Sequence, residues 1–307
     1  MMLAAIRQKL GKEHIGGMVC TFPFAFGFLV FTLVPMAMSL YYSFTDYNIL
    51  SAPAFVGADN YIRLFTGDER FLTALFVTFK FAFLSVPLRL IFALAVAMLL
   101  VRGTKMTPVY RAAYYLPSII GGSVAVAILW RRMFATEGTV NIVITRFLSL
   151  LGSDRVVDFP WLGRVETAIW ILIIMAVWQF GSSMLIFLAA IKQIPASYYE
   201  AAEVDGANRF RKFLSITLPL LTPTIFFNLI MQMINGFLAF TQSYIITQGR
   251  PLDSTLFYTV YMYEQSFTNR AMGYSSAMAW VMLVIIAVIT LVLFKTKGFW
   301  VVDEGDQ

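Results

Sequence analysis

The sequence predicts an all-α, polytopic membrane protein of six transmembrane helices, and three observations carry that prediction. Apolar residues make up 59% of the 307 positions and charged ones only 13%; soluble domains average roughly 45–50% and about 25%. Mean hydropathy is +0.75. The apolar residues also gather into six stretches, 15–42, 72–101, 108–130, 166–190, 216–240 and 273–295, each near the length of about 20 residues that a helix needs to cross a bilayer. This composition excludes a soluble enzyme, a disordered chain and a nucleic-acid binder. The net charge of +6 then belongs to the rim of a membrane protein rather than to a nucleic-acid surface.

The first stretch is too long and too poorly terminated for a cleaved signal peptide, so it reads as an uncleaved first span after a tail at 1–14. Residues 15–70 are then the first span with its outer loop, 71–296 a core of five further spans, and 297–307 a second tail. With an even number of spans both ends share a side. Placing them inside puts Arg7, Lys9, Lys12, Arg102, Lys105, Arg111, Lys192, Arg209, Arg211, Lys212, Lys295 and Lys297 on short inner segments. The longer outer segments then hold Arg63, Arg70, Arg131, Arg132, Arg146, Arg155, Arg164, Arg250 and Arg270. The denser side is the cytoplasmic one by the positive-inside rule. Tyr41, Tyr42, Trp130, Trp161, Trp170 and Trp300 fall near span boundaries, where aromatic belts form.

One cysteine and one histidine exclude an intrachain disulfide and a Cys/His zinc cluster. Cys20 reads as a buried neutral thiol. With His14 in the tail, no Ser–His–Asp arrangement can form, and no G-x-x-x-x-G-K-[ST] stretch is present to cradle a nucleotide. Lys80 and Arg89 lie inside the second span, where a charge is a functional candidate; the bland alternatives are that Lys80 snorkels outward and Arg89 binds helix-end carbonyls or a partner subunit. No Asp or Glu lies deep in a span, and Glu166 is only at an edge. That argues against an ion-coupled carrier, which needs intramembrane carboxylates or broken-helix ion sites.

The loop between the fourth and fifth spans is unlike the others. Pro195 suits a first helical turn, and Ser197 and Glu200 have capping-box spacing. Glu200-Ala201-Ala202-Glu203 is a strong helix former. Gly206 after Asp205 supplies a stop, and Pro219 and Pro223 bend the start of the fifth span. A plain helical connector satisfies these features as well as a docking element does. Within the spans, Trp178, Gln179, Ser182 and Ser183 on the fourth and Asn228, Gln232 and Asn235 on the fifth are polar, with Gln242 and Tyr244 just beyond. Asn228, Gln232 and Asn235 share one helical face. They serve either a polar solute or interhelical hydrogen bonds. The segment 248–269 carries Tyr258, Tyr261, Tyr263 and Phe267, which suit an exposed docking surface or an interfacial helix.

Glu200-Ala201-Ala202, Asp205-Gly206-Ala207, Phe210, Ile216 and Leu218-Pro219 resemble the EAA loop of ABC-transporter permeases. Ser43-Phe44-Thr45-Asp46-Tyr47, Phe55 to Tyr61, Leu116-Pro117, Trp130, Gly138, Asn141, Gly249, Pro251, Tyr263 and Gly273-Tyr274 resemble the carbohydrate-uptake group, in the first-subunit form of maltose, lactose and glycerol-phosphate systems. The large additional outer domain of the maltose subunit is missing.

The resemblance implies a type I ABC importer permease fold in a bacterial or archaeal cytoplasmic membrane. It implies a heterodimer with a second permease, two ATPase subunits that bind ATP and Mg, an extracytoplasmic solute-binding protein, and no catalysis or cofactor in this chain. It makes Glu200, Ala201, Ala202, Asp205 and Gly206 the coupling residues. It points to Trp178, Gln179, Ser182, Gln232 and Asn235 as the sugar path. The alternatives are the same architecture importing glycerol phosphate or another polar solute, or an ion-coupled carrier.

Overall fold

The computed structural model describes residues 12–101 and 103–302, with side chains from residue 17. Arg7, Lys9, the Lys12 side chain, Arg102 and the end of the C-terminal tail lie outside the described residues. The described residues are mostly helical. It begins with α1, Lys12–Phe28, joined by a π-helical turn at Leu29–Leu33 to α2, Val34–Ser43. A two-residue antiparallel ladder follows between β1, Thr45–Asp46, and β2, Ala54–Phe55. Next come α3, Asp59–Thr66; α4, Glu69–Val101; α5, Thr107–Ile120; α6, Val124–Met133; and α7, Thr139–Leu150. The second half holds α8, Val165–Trp178; α9, Gly181–Gln193; α10, Ala196–Val204; α11, Arg209–Lys212; α12, Leu218–Phe237; α13, Tyr258–Tyr263; and α14, Met272–Trp300.

Among the described residues, four helical stretches are long and apolar enough to cross a membrane: Gly17–Ser43, Glu69–Val101, Arg209–Phe237 and Met272–Trp300. The expected third and fourth spans are each broken. α5 and α6 meet at 98°, and α8 and α9 at 42°. The first break falls at Gly121-Gly122-Ser123, where Ser123 caps α6 by accepting from the Val126 amide. Residues 108–130 are therefore not one straight helix, because the glycine pair and the cap end one helix and begin another.

Two π turns precede a proline: Leu29–Leu33 before Pro35, and Phe213–Thr217 before Pro219. Proline has no N–H for the carbonyl four residues back, and the widened turn accommodates the lost bond. Pro223 similarly frees the Pro219 carbonyl, and the Thr222 hydroxyl donates to it at 2.6 Å. The expected bend is thus a π turn plus a side-chain repair.

The chain divides into two compact units. One comprises the chain through Gly67 with Glu264–Met282. The motif residues read from the sequence hold it together. Asn60 Nδ2 donates to the Ser43 and Thr45 carbonyls, both at 2.9 Å, and Tyr61 donates to Ser43 Oγ at 2.8 Å. The Gly273 amide donates to the Tyr47 carbonyl at 3.0 Å. A Cβ on Gly273 would lie 2.0 Å from the Thr45 carbonyl oxygen, so only glycine allows this approach. Arg63 lies over the Tyr274 ring. Along α1 and the π turn after it, by contrast, Met18, Phe22, Phe24, Phe26 and Phe31 are exposed. Cys20 is exposed as well, which corrects the expectation of a buried thiol: among the described residues nothing packs over its helix face.

The other unit runs from Asp68 to Tyr263 and from Leu283 on. α4 is its centre and packs against α8, α9, α12 and α13, while α5 and α12 also pack on α9. Buried Phe71, Phe81, Ile169, Leu172, Met184, Phe187 and Phe237 form the core. The Gly236 site, where a Cβ would be 3.3 Å from Ala82 Cβ and from Val86 Cγ2, marks the close approach of α12 to α4. Tyr258 and Tyr261 belong to this core at 0% and 4% exposure. They are not exposed, as either a docking surface or an interfacial helix would have them. The segment folds onto α4: the Tyr258 amide donates to Thr78 Oγ1 at 2.8 Å, and the Tyr258 ring meets Phe71 edge-on. Phe267 alone of the four is strongly exposed, at 61%.

Candidate functional site

A cavity of about 260 Å³ lies within the second unit, on the polar side of α4. Ser85 and Arg89 of α4, Gln179 at the break between α8 and α9, Ser182 of α9, Gln232 and Asn235 of α12, and Gln242 line it. Phe81, Val86, Ala176, Gly236 and Ala239 complete the wall. No Asp or Glu is among these lining residues.

The break at Gln179 builds this site. α8 ends there because Gly181 follows and packs against α5 so closely that a Cβ would lie 2.3 Å from the Tyr114 carbonyl oxygen. The freed Gln179 carbonyl accepts from Ser118 Oγ at 3.0 Å and from Arg89 Nη2. Ser118 Oγ in turn accepts from the Ser182 amide at 3.0 Å. One serine thus joins the C-terminus of α8 to the N-terminus of α9. The guanidinium sits at a helix C-terminus, where the macrodipole favours a cation. Arg89 Nε is buried with no hydrogen-bond partner.

Of the path residues expected from the sequence, Gln179, Ser182, Gln232 and Asn235 come together around the cavity. Trp178 does not line it; its ring lies tilted at 54° against Trp130, ring centroids 5.8 Å apart. Gln232 also donates to Ser183 Oγ at 3.1 Å, so the interhelical and cavity-lining alternatives coexist in one side chain. Asn228 is buried and donates to Thr224 of its own helix at 3.0 Å, away from the cavity. Arg89 binds a helix-end carbonyl, one of the alternatives left open for it. Lys80 is exposed on the opposite face of α4. Ser85, Gly236 and Ala239 were missed. Only the i, i+4 spacing of Ser85 and Arg89 in an apolar helix could have suggested one of them.

The second candidate element is the loop from Pro195 to Thr217. α10 starts at Ala196, so Ser197 falls inside its first turn, and no side-chain cap forms. The expected capping box is corrected for that reason: the extended residue before the helix is Pro195 at φ −58°, ψ 136°. The other end is as expected. Gly206 has φ +74°, its amide donates to the Glu203 carbonyl at 3.0 Å, and the Ala207 amide donates to the Ala202 carbonyl at 2.8 Å. This double bond pattern is the Schellman motif. Asn208 Oδ1 then accepts from the Arg211 amide at 2.8 Å and starts α11.

Lys212 pairs with Glu203 across the turn and holds its carboxyl below the usual glutamate range. Tyr199 and Thr217 hydroxyls bond at 3.0 Å, tying α10 to the π turn that leads into α12. Glu200, Ala201, Asp205 and Gly206 are exposed and Ala202 partly so. Val204 and Phe210 expose 89% and 70% of their surface.

These features define a polytopic α-helical membrane component with a polar intramembrane cavity and an exposed helical loop. Residues 18–295 match the profile of the binding-protein-dependent transport system inner membrane components, and the chain belongs to that family. It is 51% identical over 302 residues to the probable ABC transporter permease protein YesP of Bacillus subtilis, covering 98% of this chain and 96% of that one. It is 31% identical to the probable starch degradation products transport system permease protein AmyD of Thermoanaerobacterium thermosulfurigenes, over 94% and 96% of the two chains. A bacterial alginate ABC transporter, solved in complex with an alginate pentasaccharide-bound periplasmic protein, superposes with a TM-score of 0.80 at 24% identity, covering 95% of this chain and 96% of that one; the fold is therefore that of an ABC-transporter permease. The relatives are non-catalytic transport subunits, and this chain is one by family.

Proposed function

We propose that this chain is one of two permeases in a binding-protein-dependent ABC importer for a carbohydrate. Six spans, with the broken α5–α6 and α8–α9 pairs counted as one each, surround half of the path, and both termini face the cytoplasm. The similarity to a permease for starch degradation products supports an oligosaccharide as the solute. Gln179, Ser182, Gln232 and Asn235 line the path; Trp178 shapes it from behind.

The observation that carries this reading is the α10 loop. It is a short helix with a fixed stop, tied by Glu203–Lys212 and Tyr199–Thr217 to the start of α12, and it presents Glu200, Ala201, Asp205, Val204 and Phe210 outward, exposed among the described residues. A rigid arm of this kind transmits a rigid-body motion of a docked subunit into α12. Separate ATPase subunits bind ATP and Mg and dock there, and an extracytoplasmic binding protein delivers the solute. The test is ATP hydrolysis by the reconstituted assembly of both permeases, the ATPase and loaded binding protein. Glu200→Lys and Gly206→Pro should abolish stimulated hydrolysis while the chain still inserts. Normal stimulated hydrolysis in both variants would overturn the coupling role.

A further inference from the structure

We propose that the cavity takes a sugar that bears a carboxylate, a uronate unit of an oligosaccharide, with Arg89 meeting the carboxylate and Gln179, Gln232 and Asn235 meeting hydroxyls. This rests on the reading of the chain as a sugar permease and narrows its solute class.

Arg89 lines the cavity with no carboxylate of the described residues beside it. Its one hydrogen bond goes from Nη2 to the Gln179 carbonyl, and its Nε is buried and unpartnered. A guanidinium carries five N–H donors, so most of its capacity is unused. Clamping the helix break does not require a cation, because Ser118 Oγ already donates to the same carbonyl at 3.0 Å. Nor does a neutral sugar require one, since the amides of Gln179, Gln232, Asn235 and Gln242 supply donors and acceptors for hydroxyls. A cation at this depth is costly unless it is paired, and an anionic cargo supplies the pair while it passes.

The planar fork of arginine matches a carboxylate in bidentate fashion. A phosphomonoester would bring close to two negative charges to a single cation, so the monovalent carboxylate fits this wall better. Gly236 and Ala239 are small residues of the same cavity wall.

The test uses the complete assembly, with sister permease, ATPase and binding protein, in proteoliposomes. The probes are uronate trisaccharides, the same trisaccharides with their carboxyls reduced to alcohols, and glycerol phosphate. Uptake of one uronate should exceed that of its reduced form by on the order of tenfold or more. Arg89→Gln should lower uronate uptake by a similar factor and uptake of the reduced sugar by far less, so that the ratio of charged to neutral uptake falls toward one. Arg89→Lys should retain part of the preference.

The ratio of charged to neutral uptake is the deciding readout, because a purely structural role would not move it. Equal uptake of both forms overturns the proposal. So does an equal fall for both in Arg89→Gln, which would make the arginine a structural clamp or a counter-ion to the sister permease, and so does preference for glycerol phosphate. Robust import of neutral sugars alone overturns the uronate inference and leaves the sugar-permease reading intact. An assembly that neither couples to ATP nor moves any sugar overturns both.

Discussion

At Gly206 a single missing Cβ decides how a helix ends. Its φ of +74° costs a side chain about 1–2 kcal/mol, and a Cβ there would touch nothing within 4 Å, so the cost is conformational alone. Gly206→Ala should therefore weaken the two bonds that close α10 by about 1 kcal/mol, read as roughly fivefold faster hydrogen exchange at the Ala207 amide. Gly206→Asn should lose less, because asparagine tolerates this region. Equal exchange in wild type and Gly206→Ala would show that the turn does not limit the loop.

A neighbouring residue gives a pH prediction. Lys212 lowers the Glu203 pKa, so the pair helps the turn above the ordinary glutamate pKa of about 4.3, and that help is lost as pH falls through the lower, folded value. Carbon NMR of Glu203 should show titration below that of a free glutamate, and Lys212→Met should return it to the ordinary range. The sequence made the Gly206 stop legible, because glycine is the residue that turns there freely. It misplaced the start at Ser197, because Pro195 already holds the extended backbone that a capping serine would occupy.

The broken helices were the least legible elements. The apolar runs 108–130 and 166–190 fix membrane depth, and hydropathy is blind to a bend within such a run. Gly121-Gly122 and Gly181 were local signals, but their meaning comes from tertiary contact: a Cβ on Gly121 would lie 2.5 Å from the Gln179 side chain and from the Pro117 carbonyl oxygen. Polar positions were legible as a set, and four of the five expected path residues meet at one cavity. Trp178 does not, since one step along a helix turns a side chain by about 100°.

The element-scale prediction concerns the join at Ser118, which serves two helix ends at once. Ser118→Ala should cost about 1–3 kcal/mol by leaving the Ser182 amide unpaired, seen as a lower thermal midpoint in detergent. Gly181→Ala should cost more, since backbone lies 2.3 Å from its Cβ. Gly122→Ala, with nothing within 4 Å, is the control that should leave the midpoint in place. A Gly181→Ala protein as stable as the control would refute the close-packed break.

Across the whole molecule, the basic residues assigned to the outer side weaken the positive-inside argument unless they have another purpose, and several do. Arg70 pairs with Asp253 at 2.7 Å, Arg63 lies over Tyr274, Arg164 over Phe159, and Arg131 donates to the Ile245 carbonyl at 3.5 Å. These arginines are engaged within the fold, Arg70 and Arg131 with segments distant in sequence. By contrast, Arg209 and Arg211 beside α10 are exposed, as charges that set topology or meet a partner would be. Arg132, Arg146, Arg155, Arg250 and Arg270 of the other side are exposed too, so the orientation with α10 in the cytoplasm is the one proposed above. That orientation has a direct consequence for two exposed positions, Val204 on the α10 loop and Leu252 before α13, at 89% and 88% exposure. With Cys20 replaced by serine, Val204→Cys should resist a membrane-impermeant maleimide in intact cells and react in inverted vesicles. Leu252→Cys should behave in the opposite way. Labelling of both from the same side would rule out an odd number of crossings between them and, with it, the proposed placement of α12 as a span; labelling with the sides exchanged would invert the topology and remove the coupling role from α10.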